Sequence, residues 1–142
     1  MASILKVDDL RGNTTANDIT VTVGASATMS LEQGLAKMWA HYDPRGSTFY
    51  SSVNTSAITD NGTGQHQITF SNNFSGSATH AFSALAGDVQ STNRHMPQAG
   101  LVRDGSAPFG TSYVEIQTNF DGQTTTLTDM DYVQVTGQGD LA

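Results

Sequence analysis

The sequence predicts a mainly β chain: an N-terminal extended arm, one short helix, then an antiparallel β-sandwich or barrel-like domain. Three observations predict it. Apolar and polar residues alternate with period two in short stretches such as Ile19-Thr20-Val21-Thr22-Val23 and Gln65-His66-Gln67-Ile68-Thr69-Phe70, a spacing that turns one face of a strand toward a core. Charged residues make up only 13% of the chain, about half the usual share, and Ser, Thr, Asn, Gln and Gly take their place. A single stretch carries apolar residues at helical spacing.

Taken in chain order, residues 1–29 read as an arm with attachment strands. Residues 3–8 suggest a first strand and residues 19–23 a second, ended by Gly24. Two strands this short do not stand alone in water. Residues 30–39 read as the helix, because Leu31, Leu35 and Met38 recur at the 4-then-3 spacing of a seam and Trp39 widens the stripe. Ser30 with Gln33 three residues on forms a capping box. Gly34 opposes the helix by about 1 kcal/mol relative to Ala.

Residues 40–142 read as the β-rich body. Strands are expected over residues 47–54, over 57–59 and 66–70 as a hairpin turned at Asn61-Gly62-Thr63-Gly64, at 80–85, 112–120, 124–127 and 132–136. Residues 87–110, with Pro97, Pro108 and several glycines, read as an irregular exposed region. At 142 residues one core with an appendage is what fits.

Charge and residue inventory exclude several function classes. The net charge of −7, with six scattered basic residues, opposes nucleic-acid binding and binding to anionic membranes, both of which draw affinity from clustered Lys and Arg. Without Cys there are no disulfides, thiolate metal sites or thiol nucleophiles. No stretch approaches a membrane span and no signal peptide is legible at the N-terminus, so a cytoplasmic site of synthesis is expected. The four histidines, His41, His66, His80 and His95, form no metal-binding pair at helical spacing, and no nucleophile elbow or phosphate loop occurs. No catalytic residue, metal ligand or cofactor is assigned. Asp129 and Asp131, with Asp121 and Asp140, offer oxygens of the kind that bind Ca²⁺, but a solvated acidic surface explains them as well. His66, in register with Ile68 and Phe70, is expected at a partly buried strand edge. Tyr42, Phe49 and Tyr50 follow Trp39 closely and suit a subunit contact, a sugar-stacking platform or the chain's own core.

Residues 3–8, the Ile19-Thr20-Val21-Thr22 strand, and Gln33-Gly34-Leu35-Ala36-Lys37-Met38-Trp39 running into Ser51-Ser52-Val53-Asn54 and Asp60-Asn61-Gly62-Thr63-Gly64 resemble tail-fibre-like virion proteins of marine bacteriophages. The match is strongest over residues 34–74. It implies a homotrimer on a phage particle, assembled in the bacterial host, with an attached N-terminal part and a β-rich outer part. The absence of an internal repeat departs from a long fibre. A short spike, or a capsid decoration protein that clamps neighbouring subunits by strand addition, is therefore the alternative, and a host glycan-binding β-sandwich is a third. The expected partners are further copies, other tail or capsid proteins, and a host surface glycan.

Candidate interaction residues follow. Leu31, Leu35, Met38 and Trp39 form the trimer or core seam. Ile4, Leu5, Val7, Ile19, Val21 and Val23 attach the arm to the particle. Arg94, His95 and Arg103 lie on the outward or partner-facing loop.

Overall fold

The computed structural model describes residues 6–11, 19–23, 27–89, 97–101, 107–120 and 126–142. They fall into two compact units, Met1–Leu35 and Ala36–Ala142.

In the first unit, the alternating run forms β1 (Thr20–Val23), which pairs antiparallel with β2 (Ala27–Ser30) from Thr20↔Ser30 to Val23↔Ala27. The expected extended arm is therefore a hairpin over these residues, because β1 finds its partner a few residues away in the same chain. Of the expected first strand, residues 6–8 are irregular and exposed, and the rest lies outside the described residues. The helix is a single turn, α1 (Leu31–Gly34), whose first N–H, on Leu31, donates to the Ile19 carbonyl at 2.7 Å. This overturns the helix over residues 30–39. Gly34 ends the turn, and from Met38 onward the chain is strand.

The second unit contains β3 (Met38–Asp43), β4 (Thr48–Val53), β5 (Thr55–Gly62), β6 (Gln65–Phe70), β7 (His80–Gly87), β8 (Pro97–Leu101), β9 (Tyr113–Phe120) and β10 (Tyr132–Gly139). They form two four-stranded antiparallel sheets, in the orders β4-β3-β10-β7 and β5-β6-β9-β8. The pairings leave both sheets open at their edges, so the body is not a closed barrel.

Period-two alternation builds the core. Met38, Ala40 and Tyr42 of β3 and Val133 and Val135 of β10 are buried from one sheet, and Ile68 and Phe70 of β6 and Val114 and Ile116 of β9 from the other. Together with Phe74 and Met130 they make one cluster between the sheets. Each of the Met, Ile, Val and Phe side chains among them stabilises the fold by roughly 1.5–3 kcal/mol. At one end Phe70, Phe74, Phe82, Phe109 and His80 form an aromatic group with ring centroids 4.8–6.1 Å apart.

Residues 87–110, expected to be irregular, contain edge strand β8. Pro97 opens it, a position on an edge strand where the missing N–H costs little, and β9 supplies the ladder from Pro97↔Phe120 to Leu101↔Ile116. Of the strand expected at 124–127, Leu127 makes an isolated bridge to Asn119; residues 124 and 125 lie outside the described residues.

The passage from one sheet to the other turns on Asn54, at φ 56°. Asn tolerates the left-handed region better than most residues. Its Oδ1 accepts from the Asn72 N–H at 2.7 Å and its Nδ2 donates to the Asn72 carbonyl at 3.1 Å. Asn54→Ala should therefore cost about 2 kcal/mol in urea unfolding, and Asn54→Gly, which relieves the φ strain but loses these side-chain bonds and a third from the Asn72 Nδ2, about 1 kcal/mol. Equal costs for the two variants would assign the whole effect to the hydrogen bonds.

Candidate functional site

The two outer faces of the body differ in chemistry. On the β5-β6-β9-β8 sheet, Gln65, Gln67, Thr69, Tyr113, Glu115 and Gln117 alternate with the buried positions of β6 and β9, and the resulting face is mainly polar. On the other sheet the same alternation turns Trp39 and His41 of β3, Tyr132, Gln134 and Thr136 of β10, Leu85 of β7, and Ser51 and Val53 of β4 outward. Leu85 is 70% exposed and Tyr50 58%.

Local features shape this second face. The register slips between His41 and Tyr42, leaving Tyr50 as the extra residue of a bulge, a device that re-aims a side chain. The Tyr50 ring meets that of His41 at 4.9 Å, and Tyr132 meets His41 edge-on at 5.9 Å. Tyr132 lies over its cross-strand partner Gly87, where any Cβ would fall 2.1 Å from the ring. Beside His41 on this face is a depression of about 340 Å³ lined by Trp39, Ala40, His41, Ser51, Gln134, Val135 and Thr136. The lining has no carboxylate, Lys or Arg.

A second polar group is internal. His66 sits on β6, between β5 and β9, and is fully buried, so the partly buried edge expected for it is corrected. Neither ring nitrogen, nor the buried Tyr42 hydroxyl, has a hydrogen-bond partner among the described residues. The His66 Nε2 lies 3.5 Å from the Asp129 Oδ1, and that carboxylate already accepts the Gly64 N–H. Burial holds the His66 imidazole below its ordinary value, against the pull of the Asp129 and Asp60 carboxylates. Burial likewise pushes the Tyr42 phenol up.

The Asp129 and Asp131 pair lies on the segment leading into β10, not on a strand. Asp131 pairs with Arg45 and accepts the Val89 N–H at 2.6 Å. Val89 first, then the Asp88 side chain and Arg45, hold its carboxyl below the usual range. Among the described residues no group of three or more His, Asp or Glu is placed to hold a metal ion. Asp121 lies outside the described residues.

The seam residues are dispersed. Leu31 lies in α1, Leu35 is exposed just after it, Met38 is fully buried in the body's core, and Trp39 faces the opposite side of the same strand. Met38 and Trp39 part because consecutive residues of a strand point to opposite faces. Tyr42 and Phe49 join the core and only Tyr50 turns outward. Of the attachment residues, Val7 is exposed, Ile19 and Val21 are partly buried, Val23 lies in β1, and Ile4 and Leu5 lie outside the described residues. Arg94, His95 and Arg103 also lie outside them. Sequence reasoning missed Gln134, Thr136, Ser51, Tyr132 and Leu85. Period two along β10 and β7 was the available signal, but which phase faces outward was not.

No protein-family model matches the chain, and neither a curated protein nor a solved structure matches it. The fold and surface define a class only: a two-sheet antiparallel β-sandwich with one aromatic face, preceded by a small hairpin unit.

Proposed function

We propose that this chain is a non-catalytic structural module of a bacteriophage particle, a tail-fibre or spike component that works as a homotrimer and is held by its N-terminal unit. The observation that carries the reading is the character of that unit. Among the described residues its regular structure is one hairpin of four-residue strands and a single helical turn. Val7, Leu10 and Leu35 are each more than half exposed. A two-stranded hairpin is marginal at best in water, so such a unit is completed by other chains: further copies of itself or a particle protein. The resemblance to tail-fibre-like proteins supplies the particle. The body needs no such help, because its core is built entirely from residues beyond Ala36.

Light scattering tests this. The full chain should run at three times its 15.0 kDa mass, and residues 36–142 alone should fold as a monomer that no longer attaches to particles. A full chain that stays monomeric at micromolar concentration, with a melting temperature independent of concentration, would overturn the reading.

A further inference from the structure

We propose that the depression on the outer face of the β4-β3-β10-β7 sheet binds a neutral saccharide, with the Trp39 and His41 rings as stacking surfaces and Ser51, Gln134 and Thr136 as hydroxyl partners. The proposal rests on the body alone and does not require the assembly reading.

Four observations carry it. The only Trp of the chain stands on this face while the core is filled by Met, Ile, Val, Phe and Tyr. There its own chain buries it only in part, so the rest of the ring is left for a ligand to cover. Second, the lining is aromatic and polar yet uncharged, which suits a ligand bearing hydroxyls and no charge. A pyranose has this character: its C–H face packs on aromatic rings and its rim of hydroxyls both donates and accepts.

Third, the polar groups are available. Among the described residues, the Ser51 and Thr136 hydroxyls, the Gln134 amide and the Trp39 indole N–H have no intramolecular hydrogen bond. A hydroxyl donates and accepts, an amide offers both on separate atoms, and an indole N–H donates. They lie in neighbouring rows of the sheet, with Trp39↔Thr136 and His41↔Gln134 on β3 and β10 and His41↔Ser51 on β4. Side chains of adjacent strands thus present a fixed grid at roughly 5 Å spacing. The Tyr50 and Tyr132 rings on either side of His41 fix its orientation without occupying the depression.

Fourth, size suits a small ligand: the depression of about 340 Å³ falls in the range of small-molecule sites.

The sole Trp makes the test direct, because intrinsic fluorescence of the full chain reports on Trp39 alone. The probes are four neutral oligosaccharides, maltohexaose, cellohexaose, chitohexaose and mannohexaose, with oligogalacturonate as the anionic control. At least one neutral probe should give a saturable change at about 0.1–10 mM, with little response to the anionic one. Gln134→Ala and Thr136→Val should each weaken that binding about tenfold, and Gln67→Ala on the opposite face should leave it unchanged. The proposal is overturned if no neutral probe saturates, if oligogalacturonate binds as well as the best of them, or if Gln134→Ala and Thr136→Val bind like the parent. Light scattering on the same samples keeps the two readings apart. A monomeric chain that still binds saccharide refutes the trimer and leaves this site standing, and a trimer that binds none does the reverse.

Discussion

Gly64→Ala is expected to lower the unfolding free energy by about 3–4 kcal/mol, a large part of the roughly 5–15 kcal/mol that holds a domain of this size. Gly64 closes the β5–β6 hairpin at φ 67°, where an L-residue costs about 1–2 kcal/mol. Its surroundings add more. A Cβ would lie 2.7 Å from both the Thr118 carbonyl oxygen and the Thr128 nitrogen, and 2.9 Å from the Leu127 Cβ. The first two are backbone atoms in a tied network: Thr118 N–H donates to the Gly64 carbonyl at 2.8 Å, Thr128 N–H to the Thr118 carbonyl at 3.1 Å, and the Thr118 hydroxyl to the Thr128 carbonyl at 2.6 Å. None of them moves without breaking a neighbour, so relief comes only from shifting the hairpin. Gly100, with ordinary φ and nothing within 4 Å of its Cβ position, is the control, and Gly100→Ala should change stability by less than about 0.5 kcal/mol. Urea unfolding of the two variants decides it, and equal effects would show that crowding at Gly64 is not what the hairpin depends on.

Stability should also fall on mild acidification because of His66. The group is fully buried and held mainly neutral by that burial, although Asp129 and Asp60 pull the other way. Its folded pKa therefore lies below the unfolded value of about 6.5. Between the two, the unfolded chain takes a proton that the folded chain refuses. The contribution is complete above about pH 6.5 and is lost as pH falls below it, by up to about 1.4 kcal/mol per pH unit. Tyr42, whose ring lies 6.1 Å away, stays neutral throughout because burial pushes its phenol up. His66→Leu, similar in volume, should remove this slope, so that the variant gains on the parent as the pH falls from about 7.5 to about 5. Denaturant unfolding of both proteins across that range is the measurement. Parallel pH profiles would mean that His66 accepts its proton in the folded state, with Asp129 as its partner.

Much of the architecture was legible in the residues. The alternation in 65–70 and 113–120 set strands β6 and β9 because one face of each had to be buried, and Asn61-Gly62-Thr63-Gly64 marked the β5–β6 hairpin turn because those residues accept a tight reversal. The stretch around Met38 was misread for an equally physical reason. Apolar residues at 31, 35, 38 and 39 fit a helical stripe, while Met38, Ala40 and Tyr42 fit strand alternation equally well. What settles it is pairing with β10 and β4, and the partner β10 lies at the far end of the sequence. Local spacing carries no record of such a partner.

The same division runs through the functional surface. The sequence by itself determined that the chain is β-rich and acidic, that it lacks thiol chemistry, and that its strands each have one apolar face, since these follow from composition and a two-residue period. Only the tertiary structure decided which side of β3 is inside. Burying Met38 and Tyr42 against β6 and β9 forces Trp39 and His41 outward, and the pairing of β3 with β10 brings Gln134 and Thr136 alongside them. A site assembled across strands from both ends of the chain exists only once the long-range ladder forms, because hydrogen bonds between distant segments, not the spacing within either, set the register that makes those side chains neighbours.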